Sequence, residues 1–504
     1  MYKELIVKYK DTIIENHNIL NNFLEQIGNH SITNEKNLKE IIMSAIWSPT
    51  GIYNLYSIEN YFLKIAETLQ CELNDYQKNT TLHVLTEALN SGGHTRVVER
   101  WISSSADEEK HCVLLTTNKS KEIPQELINA VKNKNGEIIE LNSKDSSIDR
   151  GLYLRKYASN FDKIILHIHP FDYIPIIAFG TNNFSRHIFL YNHADHMCWL
   201  GLSIADTILE IRKYGKYLTE NKRIQNKSFL LSIPTVYKDY NEKINFPEKI
   251  TNNLNKKIIL SYGSSYKFRE FDNINIINYI KLFDDTYFFI LIGLNKEENK
   301  IFYEFADKFP DRITILDIIP FNHLQEYIKI SDLVIDSFPI CGGTALLDAI
   351  NLDKPTLSLK SIVGNFDYTY NTYAQCDTID ELYYKTIQIF SSTEIKNNLL
   401  TELKTNKKQY ESSNFQKRLK EIYALRNEKH LTNKLYKNNN NDIIPNDFFN
   451  IHTSNFSRKK LKLNFKFLKI YSYKVFFYKY YEIKIFKYKF VIKKIILGNK
   501  FNAK

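Results

Sequence analysis

The chain is expected to fold as an α/β protein with two parallel-sheet domains, a helical segment in front and a basic tail behind. Three observations predict this. From Thr81 onward short apolar runs alternate with amphipathic stretches, the texture of strands joined through crossover helices. The alternation lapses around residues 232–257 and then starts again. At 504 residues the chain is also longer than one hydrophobic core usually serves.

Taken in order, residues 1–80 form a helical N-terminal extension, with helical apolar spacing in "IIENHNILNNFLEQI" and "IYNLYSIENYFLKIAETL". Residues 81–235 make the first domain, with strands expected in "LHVLTEA", "KHCVLLTTN", "GEIIELN", "DKIILHIHP" and "RHIFLYNHADH". The charged, proline-broken stretch "SIPTVYKDYNEKINFPEKITNNLNKK" reads as the connection between domains. Residues 236–410 make the second, through "KIILSYGSS", "TYFFILIGL", "RITILDIIP", "DLVIDSFP" and "KPTLSLK". Residues 411–456 read as a helix and a polar linker, and 457–504 as the tail.

With 43% apolar and 25% charged residues the composition is that of a globular protein. The five cysteines, Cys71, Cys112, Cys198, Cys341 and Cys376, stand far apart with no CxxC pair. That argues against a zinc knuckle or a disulfide framework and fits a reducing compartment. Acids occupy the N-terminus where a signal peptide has its apolar core, and no uncharged apolar run approaches about 18 residues. Neither a cleaved signal nor a membrane span is expected. Residues 457–504 hold 15 Lys and Arg against one Glu, a local +14 within a chain of net +11, so the other 456 residues carry −3.

The sharpest motif is "DSFPICGGTALLDAI", residues 336–350. An apolar strand should end at Asp336 and a helix begin near Thr344, so the turn falls at a strand's carboxyl end, where parallel sheets hold ligands. Gly342 and Gly343 let the backbone approach a ligand, and the N–H groups of Thr344 and Ala345 lie unpaired at the positive end of a helix dipole. Such a mouth prefers an anion, most often phosphate. Asp348, one turn and about 6 Å deeper, suits a ribose diol. Phosphate at the mouth and ribose one turn inward describe a nucleotide diphosphate. Read alone, Thr344 serves equally as a helix cap and the glycines as a plain turn. The opening strand of the same domain, "KIILSYGSSYKFRE", adds Gly263, Lys267 and Arg269 at another carboxyl end. There Lys267 can neutralise a leaving diphosphate.

The stretch "HLQEYIKISDLVIDSFPICGGTALLDAINLDKPTLSL" resembles the nucleotide-binding signature of GT-B glycosyltransferases, most of all the protein O-GlcNAc transferase-like family and its bacterial relatives. The resemblance implies a GT-B fold, two Rossmann-like domains facing across a cleft, and sugar transfer from a nucleotide-sugar, expected to be UDP-linked. It implies that Lys267 and Thr344 hold the diphosphate and Asp348 the ribose, with His323 corresponding loosely to a histidine upstream of the strand. No cofactor is expected. No catalytic metal is expected either, because Lys267 and the helix dipole can stabilise the departing diphosphate.

In the first domain, "TEALNSGGHTRVVERWI" is a second glycine turn running into a helix, and its "GGHTR" resembles the loop that faces the donor in GT-B enzymes. His94 there can act as base or phosphate partner, and Arg96 can add charge. A neutral imidazole with a pKa near about 6.5 can take a proton from an acceptor hydroxyl. Two further strands end in "IILHIHPFDY", with His167, His169 and Asp172, and "IFLYNHADHMCWLG", with Asn192, His193, Asp195 and His196. His94, His193 and Asp195 are the candidate catalytic groups. The same cluster also reads as one or two metal sites of a hydrolase, or as buried histidines satisfied by backbone. A nucleotide-sugar epimerase and a non-catalytic membrane-bound scaffold are further alternatives.

The tail "RKKLKLNFKFLKIYSYKVFFYKYYEIKIFKYKFVIKKIILGNK" interleaves lysine with aromatic and aliphatic residues, which suits an anionic membrane surface. Nucleic acid is not expected as a partner. The chain is therefore expected to be cytoplasmic and peripheral on the inner face of the membrane. Its acceptor there would be a glycan, a lipid-linked glycan or a protein.

Overall fold

The computed structural model describes residues 2–425 apart from 30–34, 49, 90–92, 118–121, 224–226, 236–242 and 272. The tail 457–504 and the linker before it lie outside the described residues.

Seven strands form one parallel sheet: β1 (Gln77–Leu85), β2 (Lys110–Leu115), β3 (Ile138–Glu140), β4 (Phe161–His167), β5 (Ile188–Asn192), β6 (Thr207–Glu210) and β7 (Ser228–Leu230). Their order is β3-β2-β1-β4-β5-β6-β7. Six more form a second parallel sheet: β8 (Lys257–Tyr262), β9 (Tyr287–Ile292), β10 (Ile313–Leu316), β11 (Leu333–Ile335), β12 (Thr356–Leu359) and β13 (Gln375–Cys376). Their order is β10-β9-β8-β11-β12-β13. Each sheet therefore reverses its winding once, between β1 and β4 and between β8 and β11. The crevice outside the carboxyl ends at such a reversal is where doubly wound sheets bind ligands.

Strands covered by helices on both faces must be apolar throughout, and "YFFILI" of β9 is buried at every position. Helices begin where side chains satisfy their first N–H groups: Ser146 accepts from Asp149, Thr378 from Glu381, and Asn275 forms a reciprocal box with Asn278. Three strands absent from the reading of the sequence, β6, β7 and β13, have only 4, 3 and 2 residues.

The helical segment read as an extension is built into the first domain. From the helix Tyr56–Thr68, the buried carboxylate of Glu59 accepts the N–H groups of Gly201, Leu202 and Ser203 at 3.1, 3.2 and 2.8 Å. Arg155 donates to the carbonyls of Ala66, Leu69, Ile177 and Ala178, tying the end of that helix to the helix Ile174–Phe179. The helix Ser412–Ala424, expected as the helix that precedes the polar linker, returns to the first domain. Its Phe415 meets Trp101 edge-on at 5.0 Å, and Arg418 donates to Leu231 O and, at 2.6 Å, to Ser232 Oγ.

Candidate functional site

The glycine mouth is organised by Asp336, the acid that ends β11. Its buried carboxylate accepts the N–H groups of Gly342 at 2.7 Å and Ser337 at 2.8 Å and faces Ser358 Oγ at 3.2 Å, which curls residues 336–342 into the turn. Burial pushes this carboxyl up to about 7, against the pull of the Gly342 N–H and the Lys267 charge. The Tyr368 hydroxyl reaches the Gly342 and Gly343 carbonyls at 3.1 and 2.5 Å. The helix Gly343–Asn351 then starts at the expected place. Its first-turn N–H groups, on Gly343, Thr344 and Ala345, have no acceptor among the described residues. A Cβ on Gly343 would stand 2.4 Å from Phe366 Cζ, so a glycine is needed there for close approach.

Lys267 comes to the same mouth from the 3-10 turn after β8, with Nζ 3.4 Å from Cys341 O. Gly263, which opens that turn, lies against the Lys267 side chain and Ser337. Thus Gly263, Lys267, Gly342, Gly343 and Thr344 are gathered at the reversal of the second sheet. Arg269 is anchored through its N–H to Phe338 O at 3.2 Å, and burial pushes its guanidinium down to about 10 beside Glu298 and Tyr266. His323 is half-buried in the first turn of the helix Phe321–Ile330.

Residues 90–92 of the facing loop lie outside the described residues, but the helix it leads into, Gly93–Ser104, meets the mouth at its start, where a Cβ on Gly93 would lie 3.5 Å from Thr344 Oγ1. One and two turns on, Arg96 and Arg100 reach across to Asp348, at 3.3 Å and 2.9 Å. The reading of the sequence assigned Asp348 a ribose partner and no partner within the protein. Asp348 sits on the predicted helix face, but both its oxygens accept from guanidinium groups of the other domain, which spacing within one helix cannot reveal.

Four histidines cross the first sheet in one row. His111 of β2 is level with Thr81 of β1, His83 lies two residues further along, and His167 of β4 is level with Leu85, two further again. β4 and β5 run level at Leu166 and Leu190, so His193, just past β5, takes the next step on the same face. His111 Nδ1 lies 2.9 Å from His83 Nε2, His83 Nδ1 3.0 Å from His167 Nε2, and His167 Nδ1 3.0 Å from His193 Nε2. Glu109 Oε2 stands 3.3 Å from His111 Nε2. The fully buried Trp101 lies edge-on to His83 and His167, 5.5 Å from each. At the cleft end His193 packs on His94 with ring centroids 3.7 Å apart, and His169 lies 5.2 Å from His94. His94 Nε2 is buried and unpartnered.

Burial holds His83, His94 and His193 well below the usual imidazole range, with neighbouring imidazoles adding to it, and takes His167 down to about 3. These rings are neutral at neutral pH. His167 and His193 are thus satisfied by each other rather than by backbone. Among the described residues no three His, Cys, Asp or Glu side chains gather to hold a metal, because the imidazole nitrogens bond along the row instead of converging.

Asp195 also departs from expectation. Its buried carboxylate pairs with Arg212, Oδ2 at 2.6 Å from Nε and Oδ1 at 2.8 Å from Nη2. Burial favours its protonation, but the Arg212 charge and hydrogen bonds outweigh that and hold it well below the carboxylate range. A carboxylate so held is a poor proton acceptor. Arg212 donates onward to Gly364 O in the second domain at 2.5 Å, so the pair braces the cleft. Asp172 accepts from Thr86 and Thr116 at 2.7 and 2.5 Å and ties the ends of β1 and β2 to β4.

Sequence reasoning gave Asp336 no role beyond ending its strand, and missed Arg100, Arg212, His83, His111 and Glu109. The signal for two of them was present in "LHVL" and "KHCV", where neighbouring strands each carry one histidine inside an apolar run.

No protein-family model and no curated protein matches the chain. Among solved structures it is similar to Anabaena Alr3699/HepE. The UDP-glucose complex aligns with a TM-score of 0.52 at 11% identity over 68% of this chain and 99% of that one. The complex with UDP and glucose aligns at 0.50 and 12% identity over the same shares. A variant of Thermobaculum terrenum O-GlcNAc transferase aligns at 0.47 and 10% identity, over 81% and 82% of the two chains. At these identities the likeness is one of fold. With two facing doubly wound sheets, a glycine turn at the reversal of the second and a last described helix that returns to the first domain, the chain has the GT-B, glycosyltransferase-like fold.

Proposed function

We propose that the chain transfers a sugar from a nucleotide-diphosphate donor, UDP-linked, to an acceptor hydroxyl. The observation that carries this is the meeting of Lys267 with the open first-turn N–H groups of Gly343, Thr344 and Ala345, opposite His94 and His193. The donor's diphosphate would sit on those N–H groups and the Thr344 hydroxyl. As the bond from sugar to diphosphate breaks, charge develops on the phosphate oxygen, where Lys267 and the helix dipole stabilise it. A neutral imidazole, His193 or His94, takes the acceptor's proton. Asp195 braces the site through Arg212 and takes no proton. Asp348 holds the domains together through Arg96 and Arg100, and the remaining lone pairs of its carboxylate can accept from a ribose hydroxyl. That the solved Anabaena structures hold UDP and UDP-glucose supports uridine as the base.

The proposed acceptor is a glycan, a lipid-linked glycan or a protein at the cytoplasmic membrane face. This part rests on the charge pattern of residues 457–504 alone. Among the described residues no helix is long and apolar enough to cross a membrane. The test is UDP release from a panel of UDP-sugars. The full chain should release UDP from at least one, and Lys267→Ala should slow release by about 10²- to 10³-fold. No release from any UDP-, GDP- or ADP-sugar would overturn the proposal.

A further inference from the structure

We infer that Glu109, His111, His83 and His167 form a relay that locks His193 in the tautomer with a bare Nδ1 and carries the acceptor's proton away across the sheet. The lock stands on the geometry of the row together with an ionised Glu109. The proton-carrying half rests on the glycosyl-transfer reading above.

The links all run in one sense. Each cleft-side ring presents Nε2 to the Nδ1 of the next ring out, and the last Nε2 meets a carboxylate. A neutral imidazole has one N–H and one lone pair, and an ionised carboxylate only accepts. The hydrogen bond from His111 is the largest influence on Glu109 and lowers its pKa, which keeps it ionised. His111 must then carry its proton on Nε2, so its Nδ1 accepts from His83 Nε2–H. The same choice passes to His167 and to His193. One carboxylate thus sets four tautomers, and the last ring is left with a lone pair on Nδ1. That atom has no hydrogen-bond partner among the described residues, and the ring sits against His94, one residue from the Gly93 that faces Thr344. Burial disfavours a resident imidazolium anywhere along the row. The groups around it are Trp101, edge-on, and Tyr191, tilted at 40° against His167, with Lys163 and Lys134 beside His111.

Sugar transfer releases one proton. The acceptor O–H bond breaks, its electron pair forms the new bond to the sugar carbon, and the old bond's pair leaves on the diphosphate. The proton joins His193 Nδ1. Nε2 protons then shift from His193 to His167 Nδ1, from His167 to His83 Nδ1, from His83 to His111 Nδ1, and from His111 to Glu109 Oε2. The Glu109 side chain is 21% exposed and can pass the proton to water. Before the next turnover a proton taken up at Glu109 passes back along the row from Nδ1 to Nε2, and His193 Nδ1 gives its own to water in the cleft, which restores the starting tautomers. His111, His83 and His167 are positioning residues, since none touches substrate.

The test uses the full chain with 15N-labelled histidine and reads ring tautomers by long-range 1H–15N correlation, with single His→Gln variants for assignment. At pH 7 all four rings should be neutral and protonated on Nε2. Glu109→Ala, a change at a partly exposed position, should leave His193 exchanging between tautomers. It should also lower turnover of UDP-glucose, or of whichever sugar nucleotide is cleaved, by about 10- to 10²-fold with KM little changed. A wild-type His193 protonated on Nδ1, or an unchanged single tautomer in Glu109→Ala, would overturn the relay. The expected tautomers without turnover of any sugar nucleotide would overturn the proton-carrying half together with the glycosyl-transfer reading, and leave the tautomer lock in place.

Discussion

Arg100 Nη2 meets Asp348 Oδ1 at 2.9 Å across the junction of the two domains, with both side chains buried, and Arg96 joins the same carboxylate at 3.3 Å. Groups of this kind are costly to desolvate and are tolerated only while paired. Asp348→Ala strands two cations in the interface and should lower unfolding free energy by about 3–5 kcal/mol. Arg96→Ala removes a side chain that is 29% exposed and should cost under about 1 kcal/mol. Urea denaturation measures both, and equal small losses would show that the pair does not form in solution.

Gly343→Ala places a methyl group against the Phe366 ring, whose face is itself covered by Arg212 at 5.1 Å. The ring is hemmed in, so the helix mouth should distort and nucleotide-induced stabilisation should disappear. Phe366→Leu in the same chain should restore part of it. A Gly343→Ala protein that binds nucleotide as well as wild type would show that close approach is not required.

How much of this was legible in the sequence depends on whether a feature is local. Asp336, the two glycines and the start of the helix at Gly343 follow from turn and helix chemistry within fifteen residues, and each lies where the sequence put it. The lysine turn after β8 and the "GGHTR" loop were found in the same way. Partners brought from another strand or domain were not. Arg100 and Arg212 look like ordinary helix and loop cations until folding sets them on Asp348 and Asp195. The histidine row depends on parallel register across β2, β1, β4 and β5, which no spacing along the chain encodes.

Stability should fall on mild acidification. His83, His94, His111, His167, His193 and His196 all have folded pKa values below the ordinary 6.5, so below that pH the unfolded chain binds more protons than the folded one. Each such group contributes a loss of up to about 1.4 kcal/mol per pH unit between 6.5 and its folded value, which for His167 is about 3. Glu210 and Asp336, lifted by burial to about 7, work the other way because folding favours their protonated forms, and burial raises Glu40, Glu59, Glu99, Asp172 and Asp367 in the same sense. Between pH 7 and pH 5.5 the six histidines act against the two carboxyls that titrate near 7, so the urea midpoint should drop over that interval. A rise over that interval would contradict the buried neutral row.

Asp195→Asn separates bracing from proton transfer. With both oxygens on Arg212, loss of the carboxylate's charge should destabilise the chain by about 3 kcal/mol or more. It should leave the pH profile of turnover in the folded fraction in place. Unchanged stability with abolished turnover would return Asp195 to the role of base.

The most direct measurement is the melting temperature of the full chain against increasing UDP, for wild type and Lys267→Ala. A ligand bound only by the folded state at 100 times its Kd stabilises by about 2.7 kcal/mol. Wild type should therefore melt at progressively higher temperature as UDP is added, and Lys267→Ala should lose most of that rise. No rise with UDP, GDP or ADP, or a rise of equal size in Lys267→Ala, would contradict a diphosphate seated at the glycine mouth.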